Sequence, residues 1–113
     1  MNEYLMILHD PMDSPFAALS PEEVQNVIAR YGAWADRMAA AGRLRGGQKL
    51  EDGTARHMAG GTVTDGPYPE TKEVIGGDFL ITAESYDDAV TLAGDCPHLE
   101  FGRIEIRRID ETA

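Results

Sequence analysis

The sequence predicts an α+β domain, a βαββαβ chain that carries a small hairpin insert. Three observations point there. Two stretches, beginning at Ser20 and Ser85, open with a helix cap and continue with apolar residues at helical spacing. Runs at residues 3–8, 78–83 and 102–109 have the composition or the period of strands. The 113 residues fit one domain, residues 1–113, long enough for a real core and too short for two.

Residues 3–8, Glu-Tyr-Leu-Met-Ile-Leu, read as a first strand buried on both faces near its middle and ended by His9-Asp10-Pro11. Residues 10–19 carry Pro11, Ser14 and Pro15 and read as a loop, with Met12, Phe16 and Leu19 packing it down. Ser20-Pro21-Glu22-Glu23 starts a helix: Ser20 caps the free amides, Pro21 suits the first position, and Glu23 reaches back as the other half of a capping box. Val24, Val27, Ile28, Tyr31, Trp34, Ala35 and Met38 form its apolar stripe, and Gly42 stops it. Gly32, mid-helix, marks either a close backbone approach or an exposed turn.

Residues 44–50 form a further extended segment with Gly46-Gly47 as a bulge or crossing point. Glu51-Asp52-Gly53 is a turn, and residues 54–58 and 61–64 pair as a hairpin around Ala59-Gly60-Gly61. Residues 78–83 are the clearest strand. Ser85 caps a second helix, with Asp87 and Asp88 favourable in its first turn, and residues 94–97 end it. Residues 102–109 alternate strictly, with Ile104 and Ile106 on one face. Without the insert this order is the split arrangement of ferredoxin-like domains, with both helices on one face of an antiparallel sheet. The other face needs cover, and a second copy of the chain is the expected partner.

Residues 64–77, Thr-Asp-Gly-Pro-Tyr-Pro-Glu-Thr-Lys-Glu-Val-Ile-Gly-Gly, are the stretch most specific in kind. Asp65-Gly66-Pro67 is a turn signal, and Pro67 and Pro69 hold their predecessors away from helical angles. The expectation is a stiff, shaped loop that sets Glu70, Lys72 and Glu73 just before a buried strand.

The formal net charge is −10, from 10 Lys+Arg against 20 Asp+Glu. Phosphate backbones and anionic membranes are repelled by that field, so neither nucleic acid nor a membrane surface is an expected partner. There is no apolar run of membrane-spanning length and no basic leader. Cys96 is the only cysteine, which excludes an intrachain disulfide and a thiolate metal cluster and fits a reducing cytoplasm.

The Asp65-Gly66-Pro67-Tyr68 turn followed by Glu70-Thr71-Lys72-Glu73 resembles the DGPF-motif branch of the YCII-related family, with tyrosine where the motif usually has phenylalanine. The Ser20-Pro21-Glu22-Glu23 start, Gly42, Gly76-Gly77, Cys96-Pro97-His98 and the Ile104-Glu105-Ile106-Arg107 strand extend the likeness over nearly the whole chain. The resemblance implies a ferredoxin-like fold paired as a dimeric α+β barrel, with a cavity between sheet and helices. It implies little about reaction. Some members of the branch are associated with extracytoplasmic-function sigma factors, and more distant relatives resemble lyases acting on small ring-cleavage products. In the broader family a histidine on the first helix pairs with an aspartate before a proline after the second helix. Tyr31 and Cys96 stand at those places here, so the dyad is absent.

The expected site follows from these residues. Tyr31 and His98 are the candidate proton-moving groups, and Asp65, Tyr68, Lys72, Glu73 and Trp34 the candidate ligand contacts, with Lys72 holding an anionic group. Each has a plainer reading: ion pairs that pin the loop for Glu70, Lys72 and Glu73, an Asx-turn for Asp65, core packing for Tyr31 and Trp34. Cys96 and His98 flank Pro97 and form either a thiolate–imidazole pair or, more ordinarily, a buried small hydrophobe beside a histidine. His9, Asp10, Asp13 and His57 match no metal-ligand spacing, and neither metal nor cofactor is expected. The reading is a small homodimer that binds a small polar molecule, with lyase- or isomerase-type acid–base chemistry. The alternative is a non-catalytic regulatory or interaction module beside a sigma factor.

Overall fold

A computed structural model describes residues 1–66 and 72–112. Six strands and two helices follow the expected order: β1 (Asn2–Pro11), α1 (Pro21–Ala40), β2 (Leu44–Lys49), β3 (Arg56–Ala59), β4 (Thr62–Asp65), β5 (Glu73–Ala83), α2 (Tyr86–Ala93) and β6 (Arg103–Arg108). Single 3-10 turns at Pro15–Ala18 and Pro97–Glu100 complete it. The main sheet is antiparallel in the order β2-β5-β1-β6, which is the ferredoxin-like order once the β3–β4 hairpin is set aside.

Local chemistry explains the helices. Ser20 accepts from the Glu23 amide at 3.1 Å and Glu23 returns the bond to the Ser20 amide at 3.0 Å, a complete capping box. Gly42, at φ 72°, supplies the left-handed turn after α1. Ser85 accepts from the Asp88 amide at 3.1 Å and starts α2. Gly32 has open space where a side chain would project, so it is the exposed turn of the two readings.

Both helices cover one sheet face. Tyr4, Met6, Ile81, Ala83, Trp34, Met38, Ala89, Ala93 and Cys96 form the core there. Trp34 meets Phe79 edge-on with centroids 4.9 Å apart. Leu5, Ile7 and Leu80 have the opposite parity and lie half-buried on the other face, which neither α1 nor α2 covers.

Two expectations about strand ends are corrected. β1 does not end at Leu8 but pairs through His9 and Asp10 to Pro11. β5 does not begin at Asp78 but at Glu73, so Glu73 and Gly76-Gly77 belong to a strand rather than to the preceding loop. The reason is pairing: β1 offers partners along its whole length, and the sheet ladder overrides the turn signals at either end. Leu8 faces Gly77 and His9 faces Ile75, so Gly76 is one residue too many. Before this bulge Phe79 and Ile81 face the helices; beyond it Ile75 and Glu73 are turned to the open face. The paired glycines make room for protein. A side chain at Gly76 would collide with the Asp10 carboxylate, and one at Gly77 with the Gln48 carbonyl.

Candidate functional site

The alternation of β1 sorts the candidate residues. Tyr4, Met6, Leu8 and Asp10 face the helices, whereas Leu5, Ile7 and His9 face the other way. The 3-10 turn after Pro97 packs on α1 and brings His98 against Tyr31, 67 residues away in sequence. The Tyr31 hydroxyl and His98 Nδ1 are 2.9 Å apart, and His98 Nε2 is 2.9 Å from the His9 carbonyl oxygen. A carbonyl only accepts, so Nε2 carries the proton; in the neutral ring Nδ1 then accepts from Tyr31. The Asp10 carboxylate stands 3.7 Å from Nε2. His98 is only 3% exposed, and each ring nitrogen has a partner.

Tyr31 is half-exposed beside it. Its phenol is pushed well above the usual range, chiefly by burial and then by Cys96 and Asp10. It therefore stays neutral and acts as a hydrogen-bonding group, not as a free phenolate. Burial also raises the Cys96 thiol, although the His98 amide opposes this. Cys96 is a buried thiol at the core edge, the plainer of its two readings. A groove of about 650 Å³ runs along another stripe of α1, over Leu19, Val27, Ala33 and Phe101, and Tyr31 is not among its lining residues. The Arg30–Glu100 ion pair stands on its rim.

Lys72 and Glu73 are not part of this cluster. They line an open groove of about 820 Å³ on the other sheet face with His9, Pro11, Asp13, Ile75 and Arg103. Glu73 holds Arg103 Nε at 2.9 and 3.0 Å, and His9 Nε2 is 2.9 Å from Glu105. Asp65 pairs with Arg56 at 3.0 Å across the β3–β4 hairpin and lines neither groove. Trp34 is a core residue, 2% exposed, whose indole donates to the Leu92 carbonyl at 3.2 Å. Tyr68 and Glu70 lie outside the described residues. His9 and Asp10 point to opposite faces, and among the described residues no three His, Cys, Asp or Glu side chains are grouped to hold a metal. Among those residues, no helix is long and apolar enough to cross a membrane.

Asp10, His9 and Arg103 were missed as site residues by sequence reasoning. The signal that finds His9 and Asp10 is the parity of β1, carried past Leu8 into what reads as a turn, and Arg103 follows as the partner of His9 on β6.

Comparison with known proteins follows the same lines. The fold matches 5-chloro-2-hydroxyhydroquinone dehydrochlorinase (TftG) from Burkholderia phenoliruptrix AC1100, solved with 2,5-dihydroxybenzoquinone, with a TM-score of 0.55 over 96% of this chain and 93% of that one. Identity is 16%, so the likeness is one of fold. An uncharacterized protein of Rhizobium meliloti (strain 1021) is 38% identical over 88 residues, which cover 74% of this chain and 71% of that protein. Residues 3–113 match the YCII-related domain, and the chain belongs to the YCII-related family.

Proposed function

We propose that the protein binds a small polar molecule beside Tyr31 and moves a proton on it, in chemistry of the lyase or isomerase type. The observation that carries this is the fixed Tyr31–His98 pair, half-exposed at Tyr31, with Asp10 behind it. A ligand hydroxyl that donates to Tyr31 passes its proton along the line: the ligand's O–H proton goes to the Tyr31 oxygen while the Tyr31 proton goes to His98 Nδ1. The resulting imidazolium is stabilised by Asp10 and by its bond to the His9 carbonyl. The fold neighbour's ligand, a small acidic ring, suits such a relay.

We assign the chain to the DGPF-type branch on Asp65-Gly66-Pro67-Tyr68, and to the cytoplasm on its lone thiol. The uncovered face with Leu5, Ile7 and Leu80 supports pairing with a second copy as a dimeric barrel. One observation favours the alternative, an interaction module beside a sigma factor: the β3–β4 hairpin carries Met58 and Val63, 78% and 56% exposed.

The test uses 2,5-dihydroxybenzoquinone as probe, with binding followed by calorimetry. Binding should weaken about fivefold in Tyr31→Phe, the loss of one hydrogen bond worth about 1 kcal/mol. It should release a different number of protons in His98→Gln than in the wild type. If the probe and other small acidic enols bind neither the wild type nor the variants, the interaction module is the better reading.

A further inference from the structure

We propose that the open-face groove, at the Pro11 end of the sheet past the Leu5, Ile7 and Leu80 patch proposed for pairing, is a second ligand site, separate from Tyr31 and His98, and that it takes a small monocarboxylate with an apolar body. The bulge at Gly76 creates it, because it turns Ile75 and Glu73 away from the core and beside His9 and Arg103. The backbone of Lys72 and the guanidinium of Arg103 are held in place, with donors to spare. Lys72 is anchored by its carbonyl, which accepts from the Met12 amide at 2.9 Å, while its ammonium has no hydrogen-bond or ion-pair partner among the described residues. That is notable in a chain with twice as many acids as bases. Arg103 is oriented by Glu73 through Nε alone, which leaves both terminal nitrogens of the guanidinium for a second carboxylate. His9 is similarly fixed by Glu105.

The rest of the lining selects among anions. Asp13 and Glu73 balance the two cations, so a dianion such as phosphate meets two carboxylates as well as two cations, while a monoanion needs only the spare donors. Pro11 and Ile75, the latter 51% exposed, offer an apolar surface for the body of the ligand. The same groups disfavour a polymer of phosphates, in keeping with the net charge of −10.

Titration of the full chain with benzoate, followed by amide NMR, tests this. Saturable shifts should centre on His9, Ile75 and Arg103. Lys72→Ala should weaken binding about tenfold, the size of a lost charge-assisted contact, and Lys72→Arg should stay within about threefold of the wild type. Inorganic phosphate should bind more weakly than benzoate, and Asp13→Asn should narrow that difference. Tyr31→Phe should leave the benzoate titration unchanged, which separates failure here from failure of the proposed chemistry. Shifts that never saturate, shifts centred on Val27 and Tyr31, a Lys72→Ala variant with wild-type affinity, or tighter binding of phosphate would each overturn the assignment.

Discussion

Gly102→Ala is expected to damage the protein far more than its size implies. Gly102 has no positive φ, so alanine is acceptable to the backbone; what is missing is space. A Cβ at residue 102 would overlap the carbonyl oxygen of His9 and stand 3.0 Å from Nε2 of His98. These two atoms form the bond that fixes the imidazole. Either β6 moves away from β1, or the His9 carbonyl swings out and leaves a buried N–H unpaired. Overpacking costs about 1–3 kcal/mol and an unsatisfied buried donor about 1–3 kcal/mol, so either route costs roughly 1–3 kcal/mol. Trp34 is the only tryptophan and is fully buried, which makes its fluorescence a direct report of unfolding. With an m-value of about 2 kcal/mol/M, the urea midpoint should fall by about 0.5–1.5 M. The His98 ring resonances should shift as well. A midpoint within about 0.3 M of the wild type, together with unchanged His98 resonances, would refute the steric account.

The remaining predictions use other parts of the structure. Gly32→Ala, in open space on an exposed helix turn, should stabilise by up to about 1 kcal/mol; a destabilised variant would point to a hidden contact. Ser20→Ala should cost about 1 kcal/mol in urea unfolding, because the hydroxyl that accepts from the Glu23 amide is lost while the residue-20 amide keeps its bond to the Glu23 carboxylate. The Asp88 carboxyl is held below the usual carboxylate range, first by the Glu84 amide and then by Arg43. A carboxyl lowered by folding contributes stability that is fully present above its unfolded value of about 3.9 and is lost as pH falls through the folded value. Melting temperatures of wild type and Asp88→Asn should therefore differ at about pH 6 and converge below about pH 3. A gap that persists in acid would mean the charge is not its source.

Most of the fold was legible because the signals are local. Ser20 and Ser85 announce helices, Gly42 ends one, and the glycines at residues 60 and 61 close the hairpin, each through contacts within a few residues. Strand length was less legible. Pro11 reads as a stop, yet the neighbouring β5 supplies a ladder that carries β1 past Asp10. Tyr31 and His98 could be picked as residue types able to move protons, but their meeting depends on how the turn at Pro97–Glu100 sits on α1. The greatest gap was between Lys72 and His98. They read as parts of one site, and a single extra residue in β5 sends the groove that holds Lys72 to the opposite side of the sheet. A bulge of this kind is set by pairing between distant segments, and Gly-Gly alone does not announce it.

Gly76 also governs what change the chain can tolerate. It works as a frameshift within a strand: toward the C-terminus odd-numbered residues of β5 belong to the core, and toward the N-terminus odd-numbered residues belong to the groove. Substitutions at Glu73 and Ile75 can thus alter what the surface recognises without disturbing Phe79 or Ile81. Deleting Gly76 would let Gly77 and Ile75 pair consecutively with Leu8 and His9, which removes the bulge and leaves Ile75 and Glu73 on the open face. The bulge thus separates a surface free to change from an interior that is not, within a single strand.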